Sequence, residues 1–210
     1  MMKYGLFISF EGPDGSGKTT VSKGVYERLL HEGYDVIYTR EPGGIDIAEQ
    51  IRSIILDPVH LAMDIRTEAL LYAASRRQHL VEKILPALAQ NKIVLCDRFV
   101  DSSLAYQGYG RRIGVDAVYQ INEFAIEGHM PDRTIYLDIS AEKGLERIQN
   151  RAFKDRLDQE SLAFHFEVVE GYKKVVDQFQ SRMIKIDASK SVEEVIEAAY
   201  HEVVKIIHEK

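Results

Sequence analysis

The chain has one cysteine, five prolines, no low-complexity tract and no surplus of positive charge in its 210 residues. The lone Cys96 rules out a disulfide within the chain. It sits in the apolar run 93–96 and is expected to pack as a small hydrophobe. The formal net charge of -6 argues against a general affinity for nucleic acid or an anionic membrane. No apolar run approaches the roughly 20 residues that cross a bilayer. The N-terminal Met-Met-Lys-Tyr leads into a short strand-like run and not into a signal-peptide core, so the expected location is cytoplasmic. Seven histidines are scattered with no pair at i,i+4 and no cysteine partner, which argues against a protein-built zinc site.

What is present is a 45% hydrophobic fraction, enough for a real core. Five short apolar runs, 6–10, 36–39, 93–97, 134–139 and 183–187, predict buried strands. Their continuous hydrophobicity suits a sheet covered on both faces. Helical patterns fall between them, at 17–32, 46–56, 64–90, 115–127, 141–150, 159–180 and 191–208. Gly33 offers a C-cap to the first. Pro86 lies inside the third, where a kink or an early end is expected. Alternating strands and helices predict a single α/β domain over 1–210 with a five-stranded, mainly parallel sheet. In such folds the site lies at the carboxyl ends of the strands.

The stretch 12–19, Gly-Pro-Asp-Gly-Ser-Gly-Lys-Thr, matches G-x-x-x-x-G-K-[ST] between an apolar strand and a helix. Its glycines let backbone N–H groups turn toward phosphate oxygens, and the helix N-terminus adds its positive end. Gly12, Pro13, Asp14, Gly15, Ser16, Gly17, Lys18 and Thr19 are therefore expected to bind the phosphates of a nucleotide, which the resemblance given below implies is ATP. Lys18 would reach the β and γ phosphates and the Thr19 hydroxyl would ligate Mg²⁺. Asp97, ending an apolar strand, is the second candidate metal ligand.

A phosphate loop alone does not choose among GTPases, ATPases and kinases. Asn-Lys-Ile-Val at 91–94 begins like a guanine-reading motif but lacks its aspartate and precedes its strand. Small size with several further arginines favours a kinase for a small acceptor. Arg40 and Glu41 follow the second strand, where Arg40 can clamp an acceptor phosphate through paired N–H groups. Tyr72 and Arg76 share a helix face four residues apart, an aromatic plane beside a fork of donors that suits a pyrimidine. Ser103 and Gln107 are likewise four apart and can present a hydroxyl and an amide to one side.

The stretches FEGPDGSGKTT (10–20), TREPGG (39–44), RTEALLYAASRRQHL (66–80), DRFVDSSLAYQGYGR (97–111) and RLDQE (156–160) together resemble the bacterial thymidylate kinases, over nearly the whole chain. The resemblance implies a P-loop NTPase fold with helices on both faces, and a short lid at about 148–160. It implies transfer of the γ-phosphoryl of ATP to dTMP with Mg²⁺, and a homodimer. Residue by residue, it puts Asp14 on the 3′-hydroxyl of dTMP, Arg40 and Arg98 on the acceptor phosphate, Glu41 and Arg52 in the acceptor pocket, and Tyr72, Arg76, Ser103 and Gln107 on thymine. Tyr106 matches the position that crowds the 2′ carbon. No basic residue interrupts the phosphate loop, so the chain resembles the branch that draws its catalytic arginine from the lid. Arg147, Arg151 and Arg156 are the candidates, Arg147 with the alternative of facing the adenine. Phe99 and Tyr72 depart mildly from the family's usual Tyr and Phe. The catalytic set is thus Lys18, Arg40, Arg98, Arg151 and Arg156. Two rivals stay open: a kinase for another monophosphate or a deoxynucleoside, and a nucleotide-binding module without transfer chemistry.

Overall fold

A computed structural model describes residues 5–149 and 155–209. Five parallel strands form one sheet: β1 (Leu6–Glu11), β2 (Val36–Arg40), β3 (Ile93–Asp97), β4 (Arg133–Asp138) and β5 (Met183–Asp187), in the order β2-β3-β1-β4-β5. The apolar runs become strands because both sheet faces are covered. Along β1, Leu6, Ile8 and Phe10 pack toward one core cluster and Phe7 toward the other. Along β3, Leu95 joins the first and Val94 and Cys96 the second. That alternation is the strand's two-residue period, read out on two buried faces.

One face is closed by α1 (Lys18–His31) and by α9 (Val192–Glu209), which supplies Ala199 and Val203. On the other side lie α2 (Asp46–Leu56), α3 (Ile65–His79), α4 (Leu85–Ala89), α5 (Val100–Ser103), α6 (Val115–Ile126) and α8 (Leu162–Gln178). α7 (Ala141–Gln149) follows β4. The helical pattern at 64–90 is broken as expected, though upstream of the proline. Asp64 caps α3 by accepting from the N–H groups of Arg66 and Thr67. At Leu80–Ile84 the chain widens to a π-turn, in which the Leu85 N–H donates to the Leu80 carbonyl. Pro86 then falls in the first turn of α4, where its missing N–H costs nothing and the widened turn relieves its clash with the preceding carbonyls. A second π-turn, Leu104–Gly110, extends α5.

Because β1 and β2 both flank β3, three carboxyl ends converge. Phe10 and Arg40 each stand in register with Asp97. The phosphate loop after β1, the Arg40–Glu41 turn after β2 and the Asp97–Arg98 turn after β3 thus open onto one cleft.

Candidate active site

The phosphate loop curls through Gly12, Gly15 and Gly17, all at positive φ. Gly15 is further constrained: a Cβ there would stand 2.0 Å from the carbonyl oxygen of Gly144 in α7. The Lys18 ammonium is nearly buried and donates to the Pro13 carbonyl at 2.9 Å and to Ser16 Oγ at 3.4 Å. Burial, and then the nearby Arg98 charge, push its pKa down to about 8. Thr19 Oγ1 donates to Asp97 Oδ2 at 2.5 Å, and the Tyr38 hydroxyl donates to the same oxygen at 3.4 Å. The other Asp97 oxygen, Oδ1, is buried with no partner among the described residues. A partnerless carboxylate oxygen beside a threonine hydroxyl is an all-oxygen donor set of the kind that suits a hard divalent cation such as Mg²⁺.

Next to the loop stands Arg98, held at φ 72, a backbone region uncommon outside glycine. Its Nη2 donates to Asp14 Oδ1 at 2.6 Å and its Nη1 to Ser102 Oγ at 3.2 Å, and its guanidinium lies 5.0 Å from the Tyr106 ring centroid. Burial alone would raise the Asp14 pKa, but the charges of Arg98 and Lys18 outweigh it and hold it low. Beneath Arg98, fully buried Glu11 accepts from the Phe99 N–H at 2.7 Å, Ser102 Oγ at 2.5 Å and the Tyr172 hydroxyl at 2.9 Å. Burial, then the Asp101 charge, push the Glu11 pKa up to about 7.

After β2, Arg40 grips both oxygens of Glu49 at 2.8 and 2.9 Å, and its Nη1 donates to the Pro42 carbonyl at 2.9 Å. Arg52 donates to the same carbonyl at 3.0 Å. Two guanidinium groups thus converge on one carbonyl. Burial, followed by the charge of Arg40, lowers the Arg52 pKa, so the pair favours an anion in between.

The far end of the cleft is drier. Tyr72 lines it half-buried, and burial raises its phenol pKa well above the usual range. Arg76 is 2% exposed. Its Nε donates to Glu41 Oε2 at 2.7 Å, its Nη1 to Ser103 Oγ at 3.1 Å and to Asn122 Oδ1, and its Nη2 to the Phe99 carbonyl at 3.0 Å. The second Glu41 oxygen lies 2.9 Å from His79 Nδ1, and His79 Nε2 lies 2.6 Å from Thr39 Oγ1. Tyr106, Ser103 and Gln107 all reach the cleft, although 104–110 is the π-turn and not a regular α-helix.

Of the lid arginines, Arg151 lies outside the described residues. Arg147 is exposed on α7 and donates to the Gly15 carbonyl at 3.3 Å. Arg156 is 6% exposed, with Nη2 on Glu68 Oε2 at 2.5 Å and Nε on the Ile55 carbonyl at 2.8 Å, and it is not among the residues lining the cleft. Glu68, Glu11, Asn122 and Tyr172 were not singled out in the sequence. Glu68 was the readable one, since it shares the α3 face of Tyr72 and Arg76 at four-residue spacing.

The cleft has a volume of about 260 Å³ and runs from Lys18 and Thr19 past Arg98 and Arg40 to Tyr72 and Gln107. A second hollow, about 450 Å³, shares Gly15 and Gly17 with it and is bounded by Arg147, Lys190 and Val195. A strand–phosphate loop–helix unit, a buried carboxylate beside the loop threonine and a cleft with cations at one end define a nucleotide-dependent enzyme of the P-loop NTPase fold. The family model for thymidylate kinase matches residues 10–199. The chain belongs to the thymidylate kinase family.

Among its relatives, the thymidylate kinase of Geobacillus sp. strain WCH70 is 61% identical over 91% of this chain and 92% of that protein. The thymidylate kinase of Enterococcus faecalis is 59% identical over 96% of each chain. The crystal structure of thymidylate kinase from Ehrlichia chaffeensis superposes with a TM-score of 0.76 at 33% identity, covering 97% of this chain and 99% of that one.

Proposed function

We propose that this chain transfers the γ-phosphoryl of ATP to dTMP, yielding ADP and dTDP. The observation that carries this reading is the single cleft joining the phosphate loop to the pocket of Tyr72, Arg76, Ser103 and Gln107, with Lys18, Arg40, Arg52 and Arg98 in its walls. The second hollow, beyond the loop, takes the adenosine end of ATP, with Arg147 at its edge.

An oxygen of the dTMP 5′-phosphate attacks Pγ, and the bond from Pγ to the β–γ bridging oxygen breaks. The acceptor oxygen is already ionised, so no strong general base is needed. Catalysis is positioning and charge neutralisation. Lys18 meets the β and γ phosphates, while Arg40, Arg52 and Arg98 hold the acceptor phosphate. Asp14 receives the 3′-hydroxyl, and Tyr106 crowds the 2′ carbon. Tyr72 stacks on thymine, Ser103 and Gln107 hydrogen-bond it, and the remaining Arg76 N–H reaches its 4-carbonyl. Glu41 serves the acceptor pocket by fixing Arg76. Thr19 and Asp97 would hold Mg²⁺, which would supply positive charge against the phosphates of ATP. With Arg156 tied to Glu68 and Ile55, Arg151 is the arginine assigned to the transferring phosphoryl group.

The test is ADP release from ATP–Mg²⁺ with dTMP, dUMP, dCMP, dGMP, AMP, UMP and thymidine in turn. Turnover is expected to be strong with dTMP, weaker with dUMP and negligible with the rest. ATP binding without acceptor-dependent turnover would reduce the chain to a nucleotide-binding module.

A homodimer is part of the same proposal. Ile47 and Ile54 on α2, Leu70 on α3 and Phe124 on α6, which is 88% exposed, leave large apolar side chains uncovered on neighbouring helices. Phe124→Glu is expected to shift the sedimentation coefficient from dimer toward monomer. An unchanged dimer would remove α6 from the interface.

A further inference from the structure

We infer that Glu68 sets thymine specificity by locking the side-chain amide of Gln107 with its carbonyl oxygen toward the base, a reading that rests on the proposed contact of Gln107 with thymine. Glu68 is 1% exposed on α3, one turn before Tyr72. Three side chains converge on its carboxylate. Arg111 donates to both oxygens, from Nε at 3.2 Å and Nη2 at 3.0 Å. Arg156 donates to Oε2 at 2.5 Å, and Gln107 Nε2 donates to Oε1 at 2.9 Å. Burial by itself would raise the Glu68 pKa, but the hydrogen bonds and charge of Arg111, with those of Gln107 and Arg156, hold it below the usual carboxylate value. The group is therefore ionised near neutral pH, and an ionised carboxylate only accepts.

That settles the amide. An acceptor-only partner can meet only the NH₂ side of Gln107, so one N–H is taken, the flip that would exchange Nε2 and Oε1 is blocked, and the amide's one acceptor, Oε1, stays turned away from Glu68. Gln107 is itself 1% exposed and lines the cleft. Thymine and uracil carry a donor at N3 and an acceptor at position 4, which match an amide oxygen at Gln107 and a guanidinium N–H at Arg76. Cytosine carries an acceptor at N3 and a donor at position 4, so both contacts become repulsive. A freely rotating glutamine could turn its NH₂ to cytosine N3. Glu68 removes that option. The discrimination is built by denying a rotation, since an unmatched buried polar pair is what makes the wrong base costly.

The experiment compares kcat/KM for dTMP with that for dCMP within each variant, a ratio that cancels losses of folded or active enzyme. Glu68→Gln can accept or donate, which frees Gln107 to turn. Its dTMP-to-dCMP ratio is expected to fall roughly 10- to 100-fold, with Arg76 retaining the remainder of the selectivity. Arg111→Lys keeps a cation beside Glu68 and is expected to keep the wild-type ratio. If Glu68→Gln alone does not fold, the charge-balanced pair Glu68→Gln with Arg111→Gln carries the same expectation. A wild-type ratio in whichever Glu68 variant folds overturns the lock. Gln107→Leu separates the two layers. If it leaves the ratio unchanged, Gln107 does not read the base and the underlying reading falls with the lock. If it collapses the ratio while the Glu68 variant does not, the lock alone is wrong.

Discussion

Arg98→Met is expected to lower kcat/KM for dTMP by roughly 10²- to 10³-fold while ATP affinity in the absence of acceptor changes by no more than about threefold. The size follows from the surroundings of the guanidinium. It lies between the Asp14 carboxylate at 2.6 Å and the Ser102 hydroxyl at 3.2 Å, with the Tyr106 ring below, and its side chain keeps 22% exposure toward the cleft. A partly dehydrated cation placed in advance stabilises charge on the transferring group far better than one that must be reoriented from water. Its backbone is held at a φ that only surrounding structure sustains, and Glu11, through the Phe99 N–H and Ser102, supplies part of that structure. Methionine keeps the bulk and removes the charge. Steady-state kinetics against dTMP, together with calorimetric titration of ATP, tests the claim. Equal losses in both would move Arg98 from the acceptor side to the nucleotide side.

Asp97→Asn is expected to do two opposite things. Turnover should fall roughly 10²- to 10³-fold, and the melting temperature of the ligand-free protein should hold or rise. In the apo fold one oxygen of this buried carboxylate meets Thr19 at 2.5 Å and the other meets nothing among the described residues. An unpartnered, buried, charged oxygen is a standing cost that an amide reduces. In the proposed function the same oxygen would meet Mg²⁺, and an amide is a poorer ligand for that cation. Raising Mg²⁺ from about 1 to 50 mM should restore part of the lost activity. The pair of readouts is thermal denaturation without ligand and a Mg²⁺ titration of turnover. A lower melting temperature together with wild-type Mg²⁺ dependence would make Asp97 a structural residue.

What the sequence made legible was what short contiguous stretches determine. The strand–loop–helix unit at 6–31 is local. Its strand, glycine-rich turn and helix follow from neighbouring residues, and the structure places β1 and α1 where they were read. Parallel strands with both faces buried were readable because continuous apolar runs have few other uses. Helix-face arguments worked for Tyr72 and Arg76 because four-residue spacing is a property of α3 itself. The partners of those side chains were not readable. Glu68 meets Arg156 88 positions later, Arg76 meets Asn122 46 positions later, and Glu11 meets the Phe99 N–H, also 88 positions later. Such contacts depend on how α3, α5 and α6 dock, and no local pattern encodes that. Arg156 illustrates the consequence. A loop arginine in a polar stretch reads as a mobile cation for a phosphate, and only the fold reveals a buried glutamate within reach. Pro86 taught a related lesson at the backbone: the break was foreseeable, but not that a widened turn at Leu80–Ile84 would absorb it upstream.

The contact between Gly15 and Gly144 has a mechanical meaning. An added Cβ on Gly144 would come within 2.4 Å of the Asp14 carbonyl, just as one on Gly15 would strike Gly144. The phosphate loop and α7 therefore touch main chain to main chain, and a seam without side chains has no rotamers through which to yield. It acts as a hard stop. A larger residue at either glycine would force the loop and α7 apart, so backbone on both sides sets where the phosphate loop stands.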